Sequence, residues 1–244
     1  MAAKGKTNIF GVPFQVTTLE GAYQIIDDFI KGNKKVFVVT ANTEIVMIAQ
    51  EDKEFMDIIN QADLVVADGV GIIWASKYFG KKIPERAAGF DLMNMILKNS
   101  PEKGYKIYLL GGEPGVANEA SSKIKEMYPR INIVGCYHGY FSACDEETII
   151  QDINSKTPHF LFVGLGAPKQ EKWIYKNLDK LDVNVCIGVG GSLDVFAGKT
   201  KRAPYIFQKL GLEWLYRLIK EPSRIGRMML LPRFVLKVLF ARHK

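Results

Sequence analysis

Five short loops hold most of the side chains in this sequence whose chemistry reaches beyond packing: Thr40-Ala-Asn42-Thr-Glu44, Asp68-Gly-Val-Gly71, Gly111-Gly112-Glu-Pro-Gly115, Gly166-Ala-Pro168-Lys-Gln170 and Gly190-Gly191-Ser192-Leu-Asp194. Each follows a run of β-branched or aliphatic residues. Asp68 comes directly behind such a run and beside a glycine, where partial loss of water raises a carboxyl toward the range of a general base. Its competing reading is a cap on the helix that follows. Thr40 and Asn42 end the preceding run and face the same cleft, unless they too cap a helix, with Thr43 a rival cap. Arg86, in IPERAAGF, has the charge to neutralise a phosphate or to orient a sugar carboxylate or amide; the plain alternative is a surface ion pair with Glu85 or Asp91. Glycines at 111, 112, 166, 190 and 191 let backbone amides approach an anion, and a helix start behind them favours negative charge, a common way to hold a diphosphate.

Stricter fingerprints fail. Gly188-Val-Gly190 is followed by Leu193 where GxGxxG needs its third glycine, and Gly164-Leu-Gly166 by Lys169. Gly198-Lys199-Thr200 suggests a phosphate-binding loop of the Walker type, but Leu193 stands where the upstream glycine belongs. His138, His159 and His243 have no ligand-spaced partners, and no Asp-x-Asp is present to hold a divalent cation, so the chemistry is read as independent of metal and cofactor. Cys136, Cys144 and Cys186 form no CxxC pair and are read as small apolar residues; His138 and His159 are read as structural.

The elements that must position these loops follow from periodicity. Apolar runs at 36–39, 63–67, 106–110, 131–135, 159–165 and 184–189 have the character of buried parallel strands. Helical spacing marks 18–31, 43–59, 89–99, 114–127, 145–155, 169–178 and 204–219, with Thr43 and Pro114 as start signals. The alternation predicts an α/β fold: a Rossmann-like, doubly wound, mostly parallel sheet, whose ligands bind beyond the carboxyl ends of the strands. NIFGVPFQV, interrupted by Gly-Val-Pro, reads as a small edge hairpin.

A composition of 48% hydrophobic and 24% charged residues excludes a disordered chain and a polytopic membrane protein alike. The charge is unevenly placed. From Lys199 onward twelve Lys or Arg face only Glu213 and Glu221, a net +10, whereas residues 1–198 carry 21 basic and 24 acidic side chains, a net −3. This divides the chain into a core, 1–198, and a basic helical appendage, 199–244. Beyond Pro222, Ile225, Met228, Met229, Leu231, Phe234, Val235, Val238 and Leu239 recur at helical spacing among arginines and lysines. That is the pattern of an amphipathic helix lying on an acidic membrane, kinked at Pro232; the alternative is a helix docked on the protein's own core. Nucleic acid is the poorer partner, because large apolar residues gain nothing against phosphates. No signal peptide and no stretch of ~18 uncharged apolar residues is evident, so the expectation is a cytoplasmic protein, peripheral on the inner face of the cell membrane. Oligomeric state is left open; a dimer or trimer would shield the tail before docking.

NIFGVP, TANTEIV, ADGVGI, PERAAGFDL, LGAPKQEKWI, GVGGSLDVFAG and KRAPYIFQKLGLEWLYRLIKEPSR together resemble the WecG/TagA/CpsF glycosyltransferases over nearly the whole chain, and the TagA branch of N-acetylmannosaminyltransferases in particular. The resemblance implies transfer of ManNAc from UDP-ManNAc to GlcNAc-diphospho-undecaprenol, in building the linkage unit of wall teichoic acid. It implies Asp68 as the base on the acceptor hydroxyl, with Thr40 as its active-site partner. Asn42, Arg86 and Gln170 match pocket positions, Asp194 a contact to uridine, and Arg217, Arg224 and Arg227 the arginines that bear on the lipid diphosphate and the membrane. Ser223 and Gly226 make this tail less bulky than the family pattern. Sister branches use UDP-N-acetylmannosaminuronic acid or UDP-glucuronic acid, and a reading of another class is a non-catalytic, membrane-tethered nucleotide-sugar-binding protein.

Overall fold

In the computed structural model, which describes residues 5–209, 211–220, 222 and 225–241, the Gly-Val-Pro interruption does produce a hairpin. Strands β1 (Lys6–Ile9) and β2 (Val12–Gln15) pair antiparallel, but as a separate two-stranded sheet rather than on the edge of the large one. Ile9, Val12 and Phe14 are buried in the main core. The six apolar runs form β3 (Val36–Ala41), β4 (Leu64–Ala67), β5 (Lys106–Gly111), β6 (Asn132–Tyr137), β7 (Phe160–Gly164) and β8 (Val185–Gly188), each within two residues of its expected ends. They make one parallel sheet in the order β4-β3-β8-β7-β5-β6.

Helices cover both faces, which is why these strands read as unbroken apolar runs. Phe37, Val39, Leu161, Val163 and Cys186 face α2 (Thr43–Glu51), α3 (Lys53–Asn60), α7 (Glu146–Lys156) and α8 (Lys169–Asn177). On the opposite face, Val36, Val38, Ile107, Phe160 and Ile187 pack against α1 (Leu19–Lys31), α5 (Gly89–Lys103), α6 (Val116–Met127) and α9 (Ser192–Phe196). Neighbouring β3 and β8 thus lead to helices on opposite faces, α2 and α9, and so do β7 and β5, through α8 and α6. Crevices open at such points, at the carboxyl ends of the strands.

Several helices differ from their periodicity. The stretch 43–59 breaks at Asp52, which ends α2 and caps α3 by accepting the Phe55 amide at 3.0 Å. The apolar period runs through the break, so the break was invisible to it. Two short helices, α4 (Val70–Ser76) and α9, lie inside what the sequence shows as loops. Pro114 stands ahead of Gly115, the residue preceding α6, not in the first turn. The 204–219 stretch is two helices, α10 (Tyr205–Lys209) and α11 (Glu213–Lys220), parted at Gly211, whose φ of +71° suits glycine.

The tail ends in α12 (Ile225–Met228) and α13 (Leu230–Ala241). The helical stretch is interrupted at Met229, three residues ahead of Pro232, which sits in the first turn of α13, where the missing N–H has no helical partner to lose. Nor do all its apolar residues face outward. Phe234 and Val238 are buried in the core, with Phe234 edge-on to Phe10 at 5.8 Å, Lys237 bonded to Gln50 at 2.5 Å and Arg233 paired with Glu51 at 2.9 Å. Ile225, Met229, Val235, Leu236, Leu239 and Phe240 remain exposed. The pattern read as one membrane face serves two surfaces. No helix among the described residues is long and apolar enough to cross a membrane.

Candidate active site

The parallel register sets Thr40 opposite Val66 and Ala41 opposite Ala67, so Asp68 follows directly at the end of β4 with the same side-chain parity as Thr40. The Asp68 amide donates to Ala41 O at 2.9 Å, and its carboxylate Oδ2 accepts the amide of Gly89, first residue of α5, at 3.1 Å. The N-cap residue of the helix that follows, α4, is Gly69, and the Asp68 carboxylate reaches the start of α5. A side chain at position 89 would collide with Thr40, since a Cβ there would lie 2.9 Å from Oγ1. Thr40, Asp68 and the start of α5 form one contact. Thr40 is 7% exposed and its hydroxyl donates to Gly188 O at 3.0 Å, tying β3 to the end of β8. For Asn42 the capping alternative is the geometry found: its Oδ1 accepts the Ile45 amide at 2.9 Å, and Thr43 lies inside α2.

Arg86 meets Asp91 at 3.6 Å, but not Glu85, which accepts the Leu19 amide instead. Its main partner is Glu213 on α11, which Arg202 also approaches at 3.6 Å while pairing with Asp91 at 2.7 Å. Arg202 lies over the Phe90 ring at 4.6 Å. Two arginines and two carboxylates thus join the start of α5 to the basic tail. Burial works against the charge of Arg86, yet the Glu213 hydrogen bond and the charges of Glu213, Asp91 and Asp68 raise its pKa above the ordinary arginine value. Arg86 is close enough to Asp68 for their charges to matter to each other.

The glycine loops divide. Gly111 is packed on the neighbouring strand, where a Cβ would stand 2.4 Å from Gly164 O. Gly112 donates to Gly164 O at 3.1 Å and Gly190 to Gln170 Oε1 at 3.0 Å, so these two amides, expected to meet an anion, are already engaged within the protein. Gly166 and Gly190 border open space, and Asp194 Oδ2 is 3.5 Å from the Cβ position of Gly191. Gly198-Lys199-Thr200 closes α9 by donating from 199 and 200 to Asp194 O, unlike a phosphate-binding loop, which opens a helix. Arg217 and Arg227 lie in α11 and α12, with side chains outside the described residues; Arg224 is outside them altogether.

His159 accepts the Lys106 amide, and burial lowers its pKa, in keeping with a structural role. Of the cysteines only Cys186 is buried; Cys136 is half-buried and Cys144 exposed, against the apolar reading of all three. A cavity of ≈ 340 Å³ lined by Asn33, Lys35, Lys106 and His159 opens at the amino ends of the strands, the far end of the sheet from Asp68.

Glu171 was missed by the sequence reading, because an acidic residue in a helix's first turn usually faces water. Here it is 0% exposed, its Oε1 accepting from Gln170 Nε2 at 2.7 Å. Burial, aided by the charge of Glu44, moves its carboxyl from 4.5 up to about 7. The native protein then holds a proton that the unfolded chain gives up, so stability is lost as pH rises above 4.5 and the loss is complete above about 7. The full loss is about 3 kcal/mol, most of it between pH 5 and pH 8. Glu171→Gln should accordingly gain roughly 5–10 °C in thermal midpoint over wild type at pH 8 and little at pH 5; an equal shift at both values would refute the buried proton.

A family model described as the Glycosyl transferase WecG/TagA/CpsF family matches residues 7–244. Relatives from Staphylococcus aureus strains MW2, NCTC 8325 / PS 47 and COL, each named N-acetylglucosaminyldiphosphoundecaprenol N-acetyl-beta-D-mannosaminyltransferase, are 39% identical over 241 residues, covering 98% of this chain and 94% of theirs.

Proposed function

This chain belongs to the WecG/TagA/CpsF family of glycosyltransferases, and from that premise we propose that it transfers ManNAc from UDP-ManNAc to the C4 hydroxyl of GlcNAc-diphospho-undecaprenol, its S. aureus relatives being named as N-acetyl-beta-D-mannosaminyltransferases of that lipid-linked sugar. The observation that carries the reading is the contact of Asp68, Thr40 and the first amide of α5 at the carboxyl ends of β3 and β4. Asp68 takes the proton of the C4 hydroxyl as that oxygen bonds to the anomeric carbon. The bond from that carbon to UDP breaks on the opposite face, and the electron pair leaves on the diphosphate. The donor's α linkage becomes β. The Asp68 carboxylate meets an amide donor, and the Arg86 guanidinium is near enough for its charge to be felt there. Arg86, held ready by its carboxylate partners, is the side chain suited to the charge that develops on the leaving diphosphate, a task that needs no metal in this scheme.

The proposal extends to the two parts of the chain. Residues 1–198 supply the donor site with Asn42, Gln170 and Asp194, and 199–244 bring Arg217, Arg224 and Arg227 to the acceptor diphosphate at the inner membrane surface. Support comes from the exposed apolar side chains of α10 to α13 and from the tail's net charge of +10. To test the reading, the purified protein is given a short-chain GlcNAc-diphospholipid with UDP-ManNAc, UDP-N-acetylmannosaminuronic acid or UDP-glucuronic acid in turn, and the lipid is weighed by mass spectrometry. One added N-acetylhexosamine from UDP-ManNAc is expected. A uronic acid product would replace the donor, and binding without UDP release would leave a nucleotide-sugar binder.

A further inference from the structure

The loop after β8 is tied down at two places. Thr40 holds Gly188 O from β3, and Gln170, from the first turn of α8, holds the Gly190 amide through its Oε1. A glutamine amide has two ends that look alike in shape and opposite in hydrogen bonding. Turned over, Gln170 would set its Nε2 against the Gly190 N–H, donor against donor. Glu171 removes that choice, because its Oε1 accepts from Gln170 Nε2 at 2.7 Å and leaves Oε1 of Gln170 for Gly190.

The carboxyl is there at a cost. Glu171 is 0% exposed and its Oε2 is buried without a hydrogen-bond partner among the described residues. An apolar side chain would fill the space without that penalty. The pair is also pressed on the strand end: a Cβ at Gly188 would lie 2.6 Å from Gln170 Nε2 and 3.1 Å from Glu171 Oε1. The loop so fixed continues through Gly191 and Ser192, whose hydroxyl donates to Val189 O at 2.6 Å, to Asp194.

We infer that Glu171 is a positioning residue of the donor site, orienting Gln170 so that the Gly190 amide, and with it the loop from Gly188 to Asp194, is held in the shape that receives a uridine diphosphate. The inference rests on the nucleotide-sugar reading above. Glu171 touches no substrate itself; its effect passes through one amide.

The test is calorimetric titration of UDP into the full chain, wild type and variants. Glu171→Leu removes the acceptor and should weaken UDP at least about tenfold, a loss of the size expected when a buried hydrogen-bonded link is broken. Glu171→Gln retains an acceptor oxygen and should bind within about twofold of wild type. Gln170→Leu cuts the next link and should weaken UDP as Glu171→Leu does, and the double variant should be no weaker than either single one, because both cut the same chain. In turnover, Glu171→Leu should raise the donor KM more than it lowers kcat. A folded Glu171→Leu that binds UDP as wild type does, or a Glu171→Gln as weak as Glu171→Leu, overturns the inference. Should Glu171→Leu fail to fold, Glu171→Met, which also lacks the acceptor oxygen, decides in its place, and unchanged UDP affinity there overturns it. If wild type itself fails to bind UDP, the nucleotide-sugar reading falls first and this inference with it.

Discussion

Asp68→Asn should lower kcat for transfer to a lipid-linked acceptor by about 10²–10⁴-fold, the range over which a positioned general base contributes. UDP affinity should stay near that of wild type. The reasoning is geometric: Asn retains a side-chain oxygen for the amide of Gly89, so the contact with α5 and the packing of Thr40 survive, and what disappears is the ability to take a proton. Product formation and UDP titration on the same preparation separate the two effects. Retention of most activity would remove Asp68 from the role of base, whatever its position in the cleft.

Removal of residues 201–244 should be as severe, for a different reason. The sheet is complete by Gly188, so the remaining chain retains the ends of β3, β4 and β8 and should bind UDP. It loses Glu213, the main partner of Arg86, Arg202, which shares Glu213 and Asp91 with it, and the basic tail proposed to meet the acceptor. It should turn over no lipid-linked acceptor and should not sediment with vesicles containing an anionic lipid. Because Phe234 and Val238 leave the core with it, the fragment should also melt earlier, deletion of a buried Phe side chain alone costing about 3–5 kcal/mol. Leu236→Glu combined with Phe240→Glu in the full chain separates the two losses. These positions are 53% and 71% exposed, so the docking face stays intact while vesicle binding should fail. Full turnover by the fragment would contradict the role of the appendage.

Much of this was legible in the residues. Six apolar runs were recognisable as strands because five of them are buried nearly throughout and so lack polar alternation, edge strand β6 being only partly covered, and the loops behind them were the places to look for chemistry. Thr40 and Asp68 could be named because a polar residue at the end of a buried run is a local signal. The motifs spread over the chain carried the family resemblance, and the match to the family model over residues 7–244 agrees with it.

What stayed hidden depends on partners that are distant in sequence. Arg86 could be read as a phosphate-binding cation with Glu85 or Asp91 as its alternative partners, and only the fold brings Glu213 onto it from 127 residues away. Asp68 reads as a base with a helix cap as its competing assignment, and its contact with the first amide of α5, 21 residues on, is visible only in the fold. Phe234 and Leu236 have the same apolar character in the same helix; one is in the core and the other in solvent because α2 and Phe10 lie on one side only. Glu171 is the sharpest case. Its neighbours in sequence suggest a solvated helix start, while its neighbours in space are the end of β8 and the amide of Gln170. Amino-acid order determined which segments must leave water and where the strands stop, since hydrophobic burial is written in local composition. Only tertiary packing decided what each buried or charged group faces, because hydrogen bonds and Coulomb interactions depend on distances that the chain acquires on folding.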